Sequence, residues 1–173
     1  MNTLCFDHRL FQRGQTRREC LESWSPERNI LLRKAAEGVI LKETLDHLLR
    51  FPRGTRLLVY YSPWGLDSVK TLPFIFNTLA RAEGIVARFF NEDVFHPIFG
   101  PGYGRSSPRL FILDKSGQVL CHWGPRPARL SQQLQLFNTG EEKDSWLKNV
   151  EDTHYLASLD TSIAHELLAA AKS

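Results

Sequence analysis

The sequence predicts an α/β protein with a central mixed sheet flanked by helices, and three observations carry that reading. Residues 57–61 form a continuous apolar run of the kind buried on both faces of a central strand, and a helical stripe and a second run at 85–90 come after it. Two short apolar runs, 109–113 and 119–123, flank Asp114-Lys115-Ser116-Gly117-Gln118, a strong hairpin turn. Stretches of helical periodicity stand on either side of this block.

Ser25-Pro26-Glu27 is a helix start: a serine N-cap, proline at the first helical position and an acid in the first turn. Leu41, Leu45, Leu48 and Leu49 recur at helical spacing, and Phe51-Pro52-Arg53-Gly54 stops that helix. After the strand at 57–61, Leu72, Ile75, Phe76 and Leu79 give a second stripe ended by Gly84, and 85–90 is the next strand. Residues 91–107 read as irregular and glycine-rich. The hairpin comes next, and Gly124-Pro125-Arg126-Pro127 then opens a helix over 128–136. Two more helices close the chain, one around Trp146 and one over 162–171. A β-α-β unit requires a parallel pair with a right-handed crossover, and the hairpin adds antiparallel strands to the same sheet. That order fits the thioredoxin topology, and pattern alone leaves other mixed sheets open.

Composition narrows the class. The 173 residues suit one domain able to bury roughly 70 % of its unfolded surface. Hydrophobic content of 42 % and charged content of 24 % are ordinary for a folded soluble protein. The net charge is +3 and the pI about 8.9, with the clearest excess at Arg9, Arg13, Arg17 and Arg18. These read as a solvated face, because no aromatic residues alternate with them as a nucleic-acid groove requires. No apolar stretch approaches the ~20 residues that span a bilayer. Residues 1–7 are too short and polar for a signal-peptide core, so the expected compartment is the cytoplasm. Cys5, Cys20 and Cys121 make an odd number, and no pair has C-x-x-C spacing.

Two segments carry a family resemblance. Tyr61-Ser62-Pro63-Trp64-Gly65-Leu66-Asp67-Ser68 comes after a buried strand and opens a helix that holds Pro73. It resembles the thioredoxin active-site segment, in which a tryptophan precedes Cys-x-x-Cys or Cys-x-x-Ser and a proline stands further along the helix. Ser106-Ser107-Pro108-Arg109-Leu110-Phe111, with His122-Trp123-Gly124-Pro125-Arg126-Pro127 behind it, resembles a bacterial thioredoxin-like subfamily. That subfamily has a W-C-G-D-[CS] site, an S-I-P-K/R strand start and a W-G-P-R-P turn. The resemblance covers nearly the whole chain. It implies a thioredoxin-like core over 54–137, an N-terminal helical extension over 1–53 and a C-terminal one over 138–173, together one domain. It also implies a cis peptide bond between Ser107 and Pro108, with the backbone there pairing to a bound peptide.

The departures from that pattern decide the chemistry. Gly65 stands where the family has its nucleophilic cysteine, Ser68 stands at the resolving position, and Leu66 replaces a glycine, while Trp64 and Asp67 are retained. Disulfide exchange needs a thiolate at a helix N-terminus and a second thiol to resolve the mixed disulfide. Glycine cannot supply the first, nor a serine hydroxyl the second. An acyl-transfer role for Ser68 needs a base and an oxyanion hole, and no sequence cue supplies either. Asp67 and Ser68 read first as polar residues of a helix's first turn. Cys121 and His122 are neighbours in a strand and point to opposite faces, so they do not share a metal or Cys–His site. Cys121 reads as a small buried hydrophobe, Cys5 and Cys20 as ordinary thiols, and Trp24 and Trp146 as packing anchors. The histidines show no metal-ligand spacing, and the sequence implies neither metal nor cofactor.

The expected function is therefore a redox-inactive thioredoxin-like protein. Its binding surface would comprise Trp64, Gly65, Leu66, Asp67, Ser68, Ser107 and Pro108, open to a peptide, a protein partner or a small anion. No nucleic-acid or membrane partner is expected. The alternatives are a thiol-disulfide oxidoreductase working through a different cysteine, and a purely structural docking subunit.

Overall fold

Every side chain from Leu57 to Tyr61 is buried, so the strand they form has to be covered on both faces. The computed structural model describes residues 5–25, 39–99, 106–149 and 152–170. Within them the chain runs α1 (His8–Gln12), α2 (Arg17–Glu22), α3 (Lys42–Leu48), β1 (Arg56–Tyr61), α4 (Leu66–Leu79) and β2 (Val86–Asn91). It continues through α5 (Glu92–Phe99), β3 (Arg109–Leu113), β4 (Val119–Trp123), α6 (Ala128–Leu134), α7 (Gly140–Asn149) and α8 (Asp152–Ala170). The four strands form one sheet in the order β2-β1-β3-β4. β1 and β2 are parallel, with Leu57 opposite Ala87 and Tyr61 opposite Asn91, and β3 is antiparallel to both β1 and β4. The mixed sheet and flanking helices are those of a thioredoxin-like α/β fold.

The period-two alternation of the strands divides the core. Leu57, Val59, Tyr61, Phe89, Leu110, Ile112 and Trp123 face a layer built from α2, α3, α4, α6 and α8. Leu58, Tyr60, Phe90, Phe111 and Leu113 face the other way, onto Phe6, Phe11 and Phe95. Each fully buried Leu or Phe contributes about 1.5–3 kcal/mol by leaving water, so neither face is dispensable. The N-terminal segment supplies most of the second cover and then crosses the β2 edge. Gln15 exchanges two backbone hydrogen bonds of 2.8 Å with Phe89 on the way from Phe11 to Cys20. The chain passes so close that a Cβ on Gly14 would lie 2.3 Å from the Phe90 ring.

Helix termini show why these residues start where they do. Thr16 and Glu19 form a reciprocal capping box on α2. No side chain of its own N-cap residue caps α3; the Asp160 carboxylate of α8 accepts from the Glu43 and Thr44 amides at 3.0 and 2.8 Å instead. In the hairpin turn, Asp114 Oδ1 accepts from the Ser116 and Gln118 amides, and Gly117 takes φ of 91°.

Two expectations need correction. Residues 91–107 are not irregular throughout, because α5 occupies Glu92–Phe99. Asn91 Oδ1 accepts from the Val94 amide, and Glu92 and Asp93 sit where the helix dipole favours acids, so the helix starts despite Pro97. The last helix begins at Asp152, about ten residues earlier than the periodicity over 162–171 suggests. Tyr155, Leu159, Ile163 and Leu167 continue one buried stripe along it. The helix start at Ser25-Pro26-Glu27 runs into residues 26–38, outside the described residues. Among the described residues, no helix is long and apolar enough to cross a membrane.

This packing can be tested at two places. Asp160→Ala leaves two amides of α3 without their acceptor and should lower unfolding free energy in urea by about 1–3 kcal/mol. An unchanged midpoint would show that the α3–α8 tie contributes nothing to stability. Gly117→Ala should cost more than Gly54→Ala, although both glycines have positive φ, because the added Cβ meets the Phe6 carbonyl oxygen at 2.1 Å in one case and open space in the other. Equal costs would mean that conformation alone matters at both positions.

Candidate functional site

β1 ends at Tyr61, and the chain leaves the sheet through Ser62-Pro63-Trp64 before Gly65 caps α4. No side chain caps that helix, so the amides of Leu66, Asp67 and Ser68 have no partner within it. Gly65 has φ of −74° and ψ of 128°, ordinary extended backbone that any residue adopts. A Cβ there would lie 3.3 Å from Ser107 Oγ and 3.6 Å from Ser68 Oγ. The backbone conformation therefore does not demand glycine at this position, although a Cβ would crowd the Ser107 hydroxyl.

Beneath Gly65 three serines converge. The Ser62 amide donates to Ser107 Oγ at 3.1 Å and to Ser68 Oγ at 3.3 Å, and the Ser68 hydroxyl donates to Ser107 Oγ at 3.2 Å. Ser68 is fully buried, on the inner side of the helix's first turn. The Ser62 hydroxyl donates to Glu92 Oε1 at 2.8 Å, which fastens the loop to α5. Trp64 projects from the same loop with 76 % of its surface exposed. Across from it, the Ser107–Pro108 peptide bond is cis, as is Gly124–Pro125, and Pro108 is buried at the start of β3.

Asp67 lies behind this surface, 6 % exposed, and its carboxylate accepts from Arg126 of the β4–α6 turn. Burial pushes its carboxyl up, the guanidinium of Arg126 and the Lys70 ammonium oppose that, and Asp144 adds to the rise. Next to it, the hydroxyls of Thr71 and Tyr155 share a 2.8 Å hydrogen bond.

The structure thus brings Gly65, Ser68, Ser107 and Pro108 together, leaves Trp64 outward and Leu66 half-buried beside them, and turns Asp67 inward to Arg126. Sequence reasoning missed Ser62, Glu92 and Arg126 as members of this cluster. Asn91-Glu92-Asp93 carried a helix-start signal that would have located Glu92. Nothing local pairs Arg126 with Asp67.

The cysteines lie elsewhere. Cys20 is fully buried against Tyr61 and Trp24, and burial raises its thiol to about 11. Cys121 packs against the helical layer, and burial together with Glu166 raises it to about 11. His122 points to the opposite face, onto Phe111. Cys5 is exposed beside Gln118, at the hairpin-turn end of the sheet, opposite the end that carries Ser62. Trp24 stacks on Tyr61 and Trp146 packs against Phe137. Among the described residues, no group of three His, Cys, Asp or Glu side chains is placed to hold a metal ion.

Comparison with known proteins places this geometry in a family. No curated protein matches the sequence. A crystal structure of an HIV epitope-scaffold shares the fold with a TM-score of 0.69 and 15 % identity, covering 96 % of this chain and 99 % of that one. A protein of unknown function from Pseudomonas aeruginosa is similar at TM-score 0.65 and 16 % identity, covering 96 % of this chain and 97 % of that one. Identities this low speak for the fold alone. The family model described as thioredoxin matches residues 14–143, most of the sequence, and the chain accordingly belongs to the thioredoxin family.

Proposed function

We propose that the chain is a redox-inactive member of the thioredoxin-like subfamily with the W-C-G-D-[CS] site. In this reading one domain, with its core over 54–137, binds a peptide, a protein partner or a small anion in the bacterial cytoplasm. The binding surface runs from Trp64, Gly65 and Leu66 across to Ser107 and Pro108, and Asp67 and Ser68, whose side chains are buried, take part through their backbone amides. One observation carries the reading: Gly65 occupies the N-cap of α4 where a nucleophilic thiol would sit, while the uncapped helix terminus and the facing Ser107–Pro108 wall remain. Backbone amides at a helix N-terminus favour an anion or a carbonyl oxygen, and exposed Trp64 offers a large apolar contact beside them.

The competing reading assigns disulfide chemistry to another cysteine. It is disfavoured because the thiolate is the reacting species, and Cys20 and Cys121 are held far from ionisation at neutral pH. Cys5 is accessible but stands at the wrong end of the sheet.

Insulin-disulfide reduction by the native protein should equal that of a blank without protein. Reduction above the blank that disappears in Cys121→Ala or Cys20→Ala would overturn the proposal and identify the surrogate nucleophile. A Gly65→Cys, Ser68→Cys double variant should fold, form a reversible internal disulfide and carry a Cys at 65 titrating below the ~8.5 of a free thiol. A folded variant with an unshifted thiol would mean that the helix terminus no longer acts on position 65. Affinity capture from the native cytoplasm should recover a partner with the wild-type protein and lose it with Trp64→Ala. Equal recovery by both would move the binding surface elsewhere.

A further inference from the structure

Beyond the serine cluster, a second group of polar side chains converges at the same end of the sheet, on its other face. Tyr60 of β1 and Arg109 of β3 stand opposite each other in the antiparallel register and so point to the same side. On that side α5 brings Glu92 and His96, one turn apart. The Tyr60 hydroxyl and His96 Nε2 share a hydrogen bond of 3.1 Å. Both Glu92 and Arg109 act on the phenol: burial pushes it up to about 12, Glu92 adds to the rise and Arg109 opposes it. Glu92 is already engaged, because its Oε1 accepts the Ser62 hydroxyl at 2.8 Å. Arg109 reaches back to the wall of the proposed site instead. Its Nε donates to the Ser106 carbonyl at 3.2 Å and its Nη2 to Ser106 Oγ at 2.8 Å, one residue before Ser107. Arg109 is half-buried, and among the described residues no carboxylate lies within ion-pair distance of it.

Taking as given the peptide-binding role proposed above, we infer that Arg109 is a specificity-determining residue: it selects a ligand segment that carries a carboxylate side chain close to the residue paired at Ser107. Position comes first. An extended ligand advances about 3.3 Å per residue, so a segment hydrogen-bonded at Ser107 passes Ser106 and the guanidinium within a step or two. Orientation comes next. Two bonds to Ser106 hold the guanidinium plane, so little rotamer freedom is left to lose when a carboxylate arrives. The Nη1 hydrogens meet no acceptor among the described residues, and a planar guanidinium edge matches a carboxylate. Charge sets the class of ligand. A half-buried cation without a countercharge gains more from an arriving carboxylate than an exposed one does, because the local dielectric is lower. Glu92, fixed by Ser62 beside the same phenol, repels a doubly charged phosphate more than a singly charged carboxylate. A lysine or arginine at that ligand position would face a like charge.

A random-sequence peptide array probed with the wild-type protein should capture peptides that share an acidic position. In solution, exchanging that acid for its amide in a captured peptide should weaken wild-type binding roughly tenfold. The same exchange should make no difference to Arg109→Met, and Arg109→Glu should prefer the peptide with a lysine there. A loss of affinity in Arg109→Met that leaves the acid-to-amide ratio unchanged would assign Arg109 a purely structural role and overturn the inference. Peptides captured by the wild type, lost by Trp64→Ala and indifferent to the acid would overturn it too, with the binding role intact. Should Arg109→Met fail to fold, an acid-to-amide exchange without effect on wild-type binding would do the same. An array that captures no peptide would remove the binding role itself, and the selectivity of Arg109 with it.

Discussion

Double burial of β1 is the constraint on which the rest of the molecule depends. Five consecutive side chains, Leu57 to Tyr61, leave water completely and point alternately to opposite faces. One face is covered by α2, α3, α4, α6 and α8. The other is covered, among the described residues, by Phe95 and Val94 of α5 and by Phe6 and Phe11 of the N-terminal segment. That segment is therefore part of the hydrophobic core, fastened to the β2 edge by the paired backbone bonds between Gln15 and Phe89. The same constraint locates the site. A strand buried on both faces meets the outside only at its ends, and Ser62 is the first residue past the C-terminal end of β1. Ligand sites of open α/β sheets gather at this end of the strands.

Under the proposed function, loss of thiol chemistry at that end is a change of side chains in a retained frame. Gly65 has ordinary extended φ and ψ, and a Cβ there would clear Ser68 while pressing on the Ser107 hydroxyl at 3.3 Å, which would have to give by a few tenths of an ångström. What persists costs something to keep. Asp67 and Arg126 are taken from water into a partly unsatisfied pair, and buried pairs of this kind add little net stability because desolvation offsets their attraction. Their effect is better described as geometric, since together they fix where the β4–α6 turn meets α4.

Much of this was legible in the sequence wherever the signal is local. The double-sided run at 57–61, the Asp114–Gln118 turn with its glycine and the stripe around Leu72 and Ile75 each report their own element. That Gly65 and Ser68 stand where the family has cysteines rests on resemblance alone. Contacts between distant segments were not. Nothing near Gly14 or Gln15 announces that they lie against Phe90 and pair with Phe89, and no spacing rule links position 67 to position 126. Competing signals hid α5, where Pro97 and the glycines beyond it outweighed the cap at Asn91. The start of α8 went unread because Tyr155 and Leu159 stand among polar residues, and their stripe becomes evident only once its partner face is known.

Magnitudes discriminate among the occupants proposed for the site. A charge at a helix N-terminus gains about 0.3–1 kcal/mol when exposed, and a net hydrogen bond about 0.5–1.5 kcal/mol. The backbone donors at Leu66, Asp67 and Ser68 therefore offer a lone anion only a few kcal/mol. Millimolar affinity already requires about 4 kcal/mol, so a small anion by itself would be held weakly. An aromatic contact on Trp64 and strand-like backbone pairing beside Pro108 add to the same total without competing for those donors. Only an extended ligand reaches all three at once. On energetic grounds, then, a peptide or protein segment that places a carbonyl or carboxylate over Gly65 is the occupant this surface suits best.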